Sequence, residues 1–471
     1  MKNNYLVKMR EGKQLSFSQQ LSMIITLSIP AILAQLSSII MQYIDASMVG
    51  RLGANDSASI GLVSSSTWLF GGLCMAAGTG FSVQIAKRIG ANDDKSARSL
   101  VKTGLISVMI FSFLLLLIGV SVSHVLPVLL GGEEKIREGA FWYFLIFALS
   151  IPFMQLNYTA GGIIQASGNM KTPGILEIVM CFLDVIFNAL LIFPSGTRNI
   201  FGKNIFFIGA GLGIKGAALG TAFAEAVTGL IMLWYLLFRS PALKIRKSEK
   251  LKFSMSDLTS SLKIAIPVGI EQIITCSAYI AFTKIVSPLG TIAIAANSFS
   301  ITAESLCYMP GYGISAAAST IIGQSIGAKR HDITKKLGWL AVAVGMTVMT
   351  IGGAVMYIAA PLMISILSPN TAIQELGSEI LRIEAFAEPM YAASIVASGV
   401  FRGAGDTSVP TVLNLVSMWA VRIPLAAYLA AGYGIQGVWL AMCIELCVRG
   451  TLFLILLAVR FQKKADSWEY I

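Results

Sequence analysis

Residues 19–49 read QQLSMIITLSIPAILAQLSSIIMQYIDASMV, and this stretch decides the fold. It carries one charged side chain, Asp45, and it is longer than the roughly 20 apolar residues that an α-helix needs to cross a bilayer. Backbone amides and carbonyls in lipid have no water to bond, so a stretch of this kind is predicted to be helical throughout. We interpret it as a transmembrane helix.

The rest of the chain has the same character. Of its 471 residues, 55% are hydrophobic and 13% are charged, whereas soluble domains have about 25% charged residues. Eleven further apolar spans follow the first, at about 57–86, 100–129, 139–166, 174–194, 213–238, 258–286, 291–325, 337–367, 377–401, 409–431 and 434–460. The sequence therefore predicts an all-α polytopic membrane protein with twelve transmembrane helices and no soluble domain between them.

The distribution of basic residues predicts the topology. The formal net charge is +11, and 25 of the 35 Lys and Arg residues fall in the two termini and in the connections on the same side of the membrane. Basic residues collect on the cytoplasmic side, so both termini are expected inside and the polar insert 195–204 outside. The charge is thus explained by insertion in a cell inner (plasma) membrane, with no nucleic acid as partner.

An internal repeat divides the chain. A shift of 237 residues places Ile29-Pro30 on Ile266-Pro267 and Gln35 on Gln272. Six helices per repeat is an even number, so the two halves enter the membrane in the same orientation and their pseudo-twofold axis runs along the membrane normal. The expected division is a cytoplasmic segment 1–18, an N-lobe 19–238, a basic linker 239–257, a C-lobe 258–460 and a cytoplasmic tail 461–471.

Polar residues on two helices form candidate stripes. In span 1, Gln35, Ser38, Gln42 and Asp45 are spaced 3–4–3 and share one face, and in span 5 the same holds for Glu177, Cys181, Asp184 and Asn188. Asp45 and Asp184 are expected at similar depth in the outer half of the bilayer. Acids in lipid are costly, so the pair is expected to hold Na⁺ or share a proton, with a buried structural hydrogen-bond cluster as the alternative.

Four segments resemble the multidrug and toxic compound extrusion (MATE) family. They are IPAILAQLSSIIMQYIDASMVGRLG (29–53), IIQASGNMKTP (163–173), LDVIFNALLIF (183–193) and FRGAGDTSVP (401–410). The resemblance implies two six-helix bundles and drug export coupled to H⁺ or Na⁺ entry. Asp45 matches the span 1 aspartate of the DNA-damage-inducible-protein-F-like and archaeal branch, although Asp184 and Asn188 stand in swapped order. Thr221 occupies about the place of a threonine in the same site.

These observations define the expected site residues. Ion coupling is expected at Asp45, Asp184, Asn188 and Thr221, of which the first three would be the metal ligands if the ion is Na⁺. The substrate cavity is expected to include Gln35, Gln42, Asn157, Glu271, Gln272 and Glu388, and the helices are expected to bend at Pro30 and Pro267. Glu445 is expected to form a structural ion pair with Arg449 and with the nearby Arg422, whereas Glu225 has no assigned role.

The expected function is export of small, mostly cationic and amphiphilic compounds by rocking bundles, by a monomer that uses H⁺ or Na⁺ and no other cofactor. Residues 196–204 differ from a phosphate loop in spacing and in the final residue, so no ATPase is indicated. The six cysteines lie in apolar spans and are interpreted as packing residues. Two other functions remain open: a lipid-linked saccharide flippase of the same superfamily, and an intramembrane enzyme, for which no nucleophile or metal set is found.

Overall fold

The computed structural model of the chain describes residues 5–200, 203–246, 249 and 253–462. Within these ranges nine helices are uninterrupted membrane helices, which we number with the predicted spans: α1 Phe17–Gly50, α2 Ala54–Gly90, α3 Asp94–Ser123, α4 Glu134–Ala166, α5 Lys171–Ile192, α6 Ile214–Trp234, α7 Met255–Val286, α8 Thr291–Gly327 and α9 His331–Leu367. A short helix, Tyr5–Arg10, precedes α1.

The last three membrane helices are interrupted. Helix α10 consists of Thr371–Glu384 and Glu388–Ala404, and α11 begins as Ser408–Val416 and continues through the π-helical turn Ser417–Arg422. The final helical element, Ile423–Gln462, contains the end of α11 and all of α12, which Gly434 separates with φ 58° and ψ −140°. The described chain therefore has the twelve helices that the sequence predicts.

By length and hydropathy alone, nine stretches of the described residues qualify as membrane-crossing helices. The difference from twelve has three causes. The two pieces of α10 are each too short, α11 and α12 count as the single stretch Ser408–Gln462, and α8, at 37 residues, falls below the hydropathy threshold. The polytopic all-helical prediction is confirmed.

Two local predictions are wrong. Span 10 was expected to be continuous over 377–401, but Pro389 stands at the start of its second piece, where its ring would clash with the carbonyl of Ala385 in an unbroken helix. The insert 195–204 was expected to be a polar loop, but Pro194–Ile200 and Lys203–Ala210 pair as an antiparallel hairpin. A single hairpin outside the helices has too few residues for its strand pattern to stand out in the sequence.

The backbone repeats with the sequence. Left-handed φ angles occur in pairs separated by 237 residues, and in one pair by 221 beyond the hairpin: Gly53 (129°) and Gly290 (100°), Asn92 (58°) and Lys329 (54°), Gly168 (89°) and Gly405 (87°), Gly213 (56°) and Gly434 (58°). These residues lie at helix ends, where such a conformation turns the chain. The two halves therefore share their turn geometry as well as their sequence pattern.

Packing between the halves follows the pseudo-twofold axis. We call α1–α6 the first bundle and α7–α12 the second bundle. Helix α1 packs against α8, and α2 packs against α7. An axis that exchanges α1 with α7 and α2 with α8 converts the first of these contacts into the second. The contacts thus agree with the predicted symmetry.

The two ends of the bundles differ. We call the end with helix Tyr5–Arg10 the termini face and the end with the β-hairpin the hairpin face. At the termini face Arg88 of α2 binds Asp257 of α7 through two hydrogen bonds of 2.5 and 3.2 Å, and Gln324 of α8 donates to the Ala166 carbonyl at 2.7 Å. These contacts hold the first bundle against the second at this end.

The helix Tyr5–Arg10 joins both bundles at the same face. Its Met9 is fully buried in an apolar cluster with residues of α8, α9 and α10. Arg10 donates to the Ile89 carbonyl of α2 at 3.3 Å, and Arg330 of the second bundle donates to the Met9 carbonyl at 3.4 Å. The N-terminal segment is therefore part of the closure at the termini face.

Candidate functional site in the first bundle

The two predicted aspartates lie together in the first bundle. Asn188 of α5 donates through Nδ2 to Asp45 Oδ1 of α1 at 2.8 Å and to Asp184 Oδ2 at 3.0 Å. Asp184 and Asn188 are fully buried, whereas Asp45 is partly exposed. One amide group therefore bridges two carboxylates, of which one can be reached from the cavity.

Helix α6 completes the group. Thr221 lies within hydrogen-bonding reach of Asp184. It reaches this position because Gly220 packs directly on Asn188: a Cβ atom at Gly220 would overlap Asn188 Oδ1 and would lie 2.9 Å from the Asn188 backbone nitrogen. Gly216, one turn earlier, packs in the same way on the Leu191 carbonyl. Small residues four apart permit this close approach of two membrane helices.

The group has acceptors to spare. Asp184 Oδ1 and Asn188 Oδ1 are buried and have no hydrogen-bond partner within the described chain. The membrane interior of α1, α4, α5 and α6 contains no Lys or Arg, since their basic residues lie at the helix ends. A buried carboxylate without a cationic partner is costly, so the arrangement favours a bound proton or a small cation.

The residues suit a monovalent ion better than a divalent metal. Carboxylate, amide and hydroxyl oxygens are ligands for hard cations. The part of the chain that the structure describes contains no group of three or more His, Cys, Asp or Glu side chains arranged to hold a metal ion. The oxygen atoms of Asp45, Asp184 and Asn188 are therefore the candidates for Na⁺, and the two carboxylates are the candidates for a proton.

A second acidic group in the first bundle had no assigned role in the sequence. Glu225 lies four residues after Thr221 on α6, within hydrogen-bonding reach of the predicted cavity residue Asn157, and close to Glu177 of α5. Both glutamates are partly exposed and Asn157 is 5% exposed. The spacing of Thr221 and Glu225 on one helix face was the signal that could have linked Glu225 to the site.

The other predicted cavity residues are distributed over both bundles. On α1, Gln35 is half-buried and Gln42 is exposed. On α7, Glu271 accepts a hydrogen bond from Asn414 of α11 at 2.6 Å, and Gln272 packs on Gly72 across the interface between the bundles. These residues do not join the aspartate group.

Glu388 lies in the interior of the second bundle, 1% exposed, with Glu384 of the first piece of α10. None of the four carboxylate oxygens of these two residues has a hydrogen-bond partner in the described chain. The predicted substrate-cavity residue Glu388 is thus fully enclosed in this conformation.

The predicted ion pair in the second bundle is confirmed. Arg422 binds Glu445 with N–O distances of 2.6 and 2.8 Å, Arg449 binds the same carboxylate at 2.9 Å, and Ser417 donates to it as well. All three charged side chains are buried. This carboxylate is fully satisfied by its partners, which indicates a structural role.

The two prolines are packed differently. Pro30 lies inside α1 and its carbonyl faces Gly174 of α5, where a Cβ atom would be only 2.7 Å away. Pro267 lies inside α7, and its carbonyl accepts a hydrogen bond of 2.9 Å from Thr411. Gly174 and Thr411 are equivalent by the 237-residue repeat, so the same contact is apolar in one bundle and hydrogen-bonded in the other.

Comparison with known proteins agrees with this architecture. The chain is 25% identical over 450 residues to the "Probable multidrug resistance protein NorM" of Thermotoga maritima, covering 94% of the chain and 93% of that relative. It is also 25% identical over 459 residues to the protein of the same name from Bacillus cereus, covering 95% of the chain and 97% of the relative.

The fold matches that of a crystallised protein described as the "outward-facing conformation of a multidrug resistance MATE family transporter of the MOP superfamily". The TM-score is 0.87, over 96% of this chain and 97% of that one, at 18% identity. The MatE family model matches the chain twice, at residues 30–190 and 267–428, and the second match begins 237 residues after the first, as the repeat predicts. The chain belongs to the MatE family of membrane transporters.

Proposed function

We propose that the chain is a secondary active exporter that moves small, mostly cationic organic compounds out of the cell in exchange for H⁺ or Na⁺. The observation that carries the proposal is the Asp45–Asn188–Asp184 group, two carboxylates bridged by one amide in a membrane interior without basic residues. The names of the relatives, which describe multidrug resistance proteins, support the same function.

The proposed coupling uses the partly exposed Asp45. A proton or Na⁺ that enters from the hairpin face reaches Asp45 first and neutralises part of the negative charge shared with Asp184. Loss of that charge weakens the attraction for the donor groups around the site and changes the bend of α1 at Pro30. The width of the first-bundle cavity then changes, which links ion entry to substrate release.

Alternating access follows from the two bundles. The N-lobe 19–238 and the C-lobe 258–460 rock about the pseudo-twofold axis, with 239–257 as their tether, of which residues 247, 248 and 250–252 lie outside the described ranges. The termini face is cytoplasmic, as the distribution of Lys and Arg supports. In the described conformation the contacts at that face, such as Arg88–Asp257, close the cytoplasmic side.

Three finer assignments belong to the proposal. The swapped but complete set of Asp45, Asp184, Asn188 and Thr221 supports membership of the DNA-damage-inducible-protein-F-like and archaeal branch. The membrane is the cell inner (plasma) membrane, with the segment 1–18 and the tail 461–471 inside. The transporter acts as a monomer, because each chain contains both bundles and a complete ion site.

Vesicles reconstituted with the purified chain test the function. Ethidium efflux is measured under an imposed H⁺ gradient, an imposed Na⁺ gradient, and neither. Efflux that requires one of the gradients supports the proposal and identifies the ion. Movement of a lipid-linked saccharide without ethidium transport would favour a flippase instead.

A further inference from the structure

Glu225 and Asn157 form a polar group that the coupling mechanism does not use. Both lie in the first bundle, on α6 and α4. Thr221 and Glu225 are one helical turn apart, about 6 Å along the axis of α6. Since α6 runs from the hairpin face to the termini face, Glu225 lies on the termini-face side of the aspartate group.

The close contact of α4 and α6 fixes this group. A Cβ atom at Gly229 would lie 2.8 Å from the Phe153 carbonyl and 3.4 Å from the Asn157 backbone nitrogen, so the two backbones touch at this glycine. Glu225 precedes Gly229 by one turn. Its carboxylate is thereby held beside the Asn157 side chain.

The acceptors of this group lack donors. Asn157 is 5% exposed, and its Oδ1 atom has no hydrogen-bond partner in the described chain, while its Nδ2 contacts only the Met180 sulfur, at 3.3 Å, besides Glu225. Glu225 Oε2 is likewise without a partner. A buried amide oxygen and a carboxylate oxygen that both lack a donor leave free energy to be gained from a ligand that supplies N–H groups.

Charge defines the class of ligand. Glu177 of α5 adds a second carboxylate nearby, and no described ion pair neutralises either glutamate. Both are partly exposed, so a solute in the cavity can reach them. A ligand with positive charge and N–H donors would satisfy the two carboxylates and the amide oxygen together.

We propose that Glu225, Asn157 and Glu177 form a recognition subsite for the ammonium or amidinium group of the exported compound, separate from the aspartate group that binds the coupling ion. This inference rests on the proposed export function and extends it. The substrate cation and the coupling ion then occupy neighbouring positions in one bundle, and mutual repulsion between them promotes release when the ion enters.

Equilibrium binding of ethidium to the purified full chain in detergent tests this assignment. Ethidium carries a permanent positive charge and two amino groups, and its binding is followed by fluorescence anisotropy. We expect Glu225→Gln to raise the Kd about tenfold, equivalent to about 1.4 kcal/mol. Asp45→Asn is expected to keep the Kd within about threefold of wild type, and Glu134→Gln, at an exposed position, is the matched control.

A Kd for Glu225→Gln that differs from wild type by less than about threefold would overturn the assignment, and so would an equal loss of binding in Asp45→Asn, which would indicate a single site. If Glu225→Gln does not purify as a folded protein, Glu225→Asp decides: its shorter side chain should weaken binding at least about threefold, and wild-type affinity overturns the proposal. A wild-type chain that neither binds nor transports ethidium refutes the proposed function itself.

Discussion

Replacement of Asp45 by Asn separates the structural from the coupling role of the aspartate group. The side chains have the same shape, so the oxygen that accepts the 2.8 Å hydrogen bond from Asn188 is retained. A hydrogen bond to a charged acceptor contributes about 1.5–3 kcal/mol and a neutral one about 0.5–1.5 kcal/mol, so the substitution costs about 1 kcal/mol in this bond. Removal of an acid from the membrane interior recovers about 2.5–3.5 kcal/mol on insertion scales.

The balance predicts a protein that is as stable as wild type and does not transport. We expect the unfolding temperature of Asp45→Asn to stay within a few degrees of wild type or to rise, while gradient-driven ethidium efflux falls at least about tenfold. The assays are thermal unfolding in detergent and efflux from vesicles under imposed H⁺ and Na⁺ gradients.

The matched control is Asp332→Asn. Asp332 is exposed at the start of α9 and binds Arg330 at 2.9 Å, a surface pair that contributes about 0–1 kcal/mol. This variant should transport like wild type. Wild-type efflux from Asp45→Asn under either gradient would refute the proposed coupling role, and a large loss of stability would show that the aspartate group is structural.

Three further predictions concern other parts of the chain. Glu271→Gln should reduce efflux two- to fivefold without abolishing it, since coupling is assigned to the first bundle; complete loss in a folded protein would move the coupling site to the second. Gly220→Ala should lower the unfolding temperature and cut efflux at least about tenfold, because the new methyl group collides with the aspartate group, whereas Gly61→Ala, with no atom within 4 Å of the added carbon, should leave both unchanged. A membrane-impermeant thiol reagent added to intact cells of a cysteine-free background should label Glu134→Cys and spare Lys336→Cys; the opposite pattern would invert the proposed topology.

Much of the fold is determined by features that a sequence displays directly. Runs of apolar residues long enough to cross a bilayer have a single stable conformation, so the helices could be located to within a few residues. The repeat was visible because the turns that end each helix need the same special residues in both halves, as at Gly168 and Gly405. The proximity of Asp45 and Asp184 followed from their spacing and their expected depth.

The missed features depend on contacts between distant segments. The bridge that Tyr5–Arg10 makes between the bundles rests on a carbonyl of α2 and on Arg330, and nothing in the local sequence identifies those partners. The role of Glu225 became apparent only with the contact of α6 and α4 at Gly229. The break in α10 was an exception, because Pro389 was there to predict it.

The unequal packing of the two prolines has a consequence for how the duplicated halves share their work. An ancestor with two identical halves would have had two identical joints, at positions 30 and 267. In this chain the second joint is braced by the hydroxyl of Thr411, while the first has only the bare backbone of Gly174 beside it. One copy has thus become a fixed frame and the other has kept its play, so that movement begins in the half that also carries the exposed aspartate.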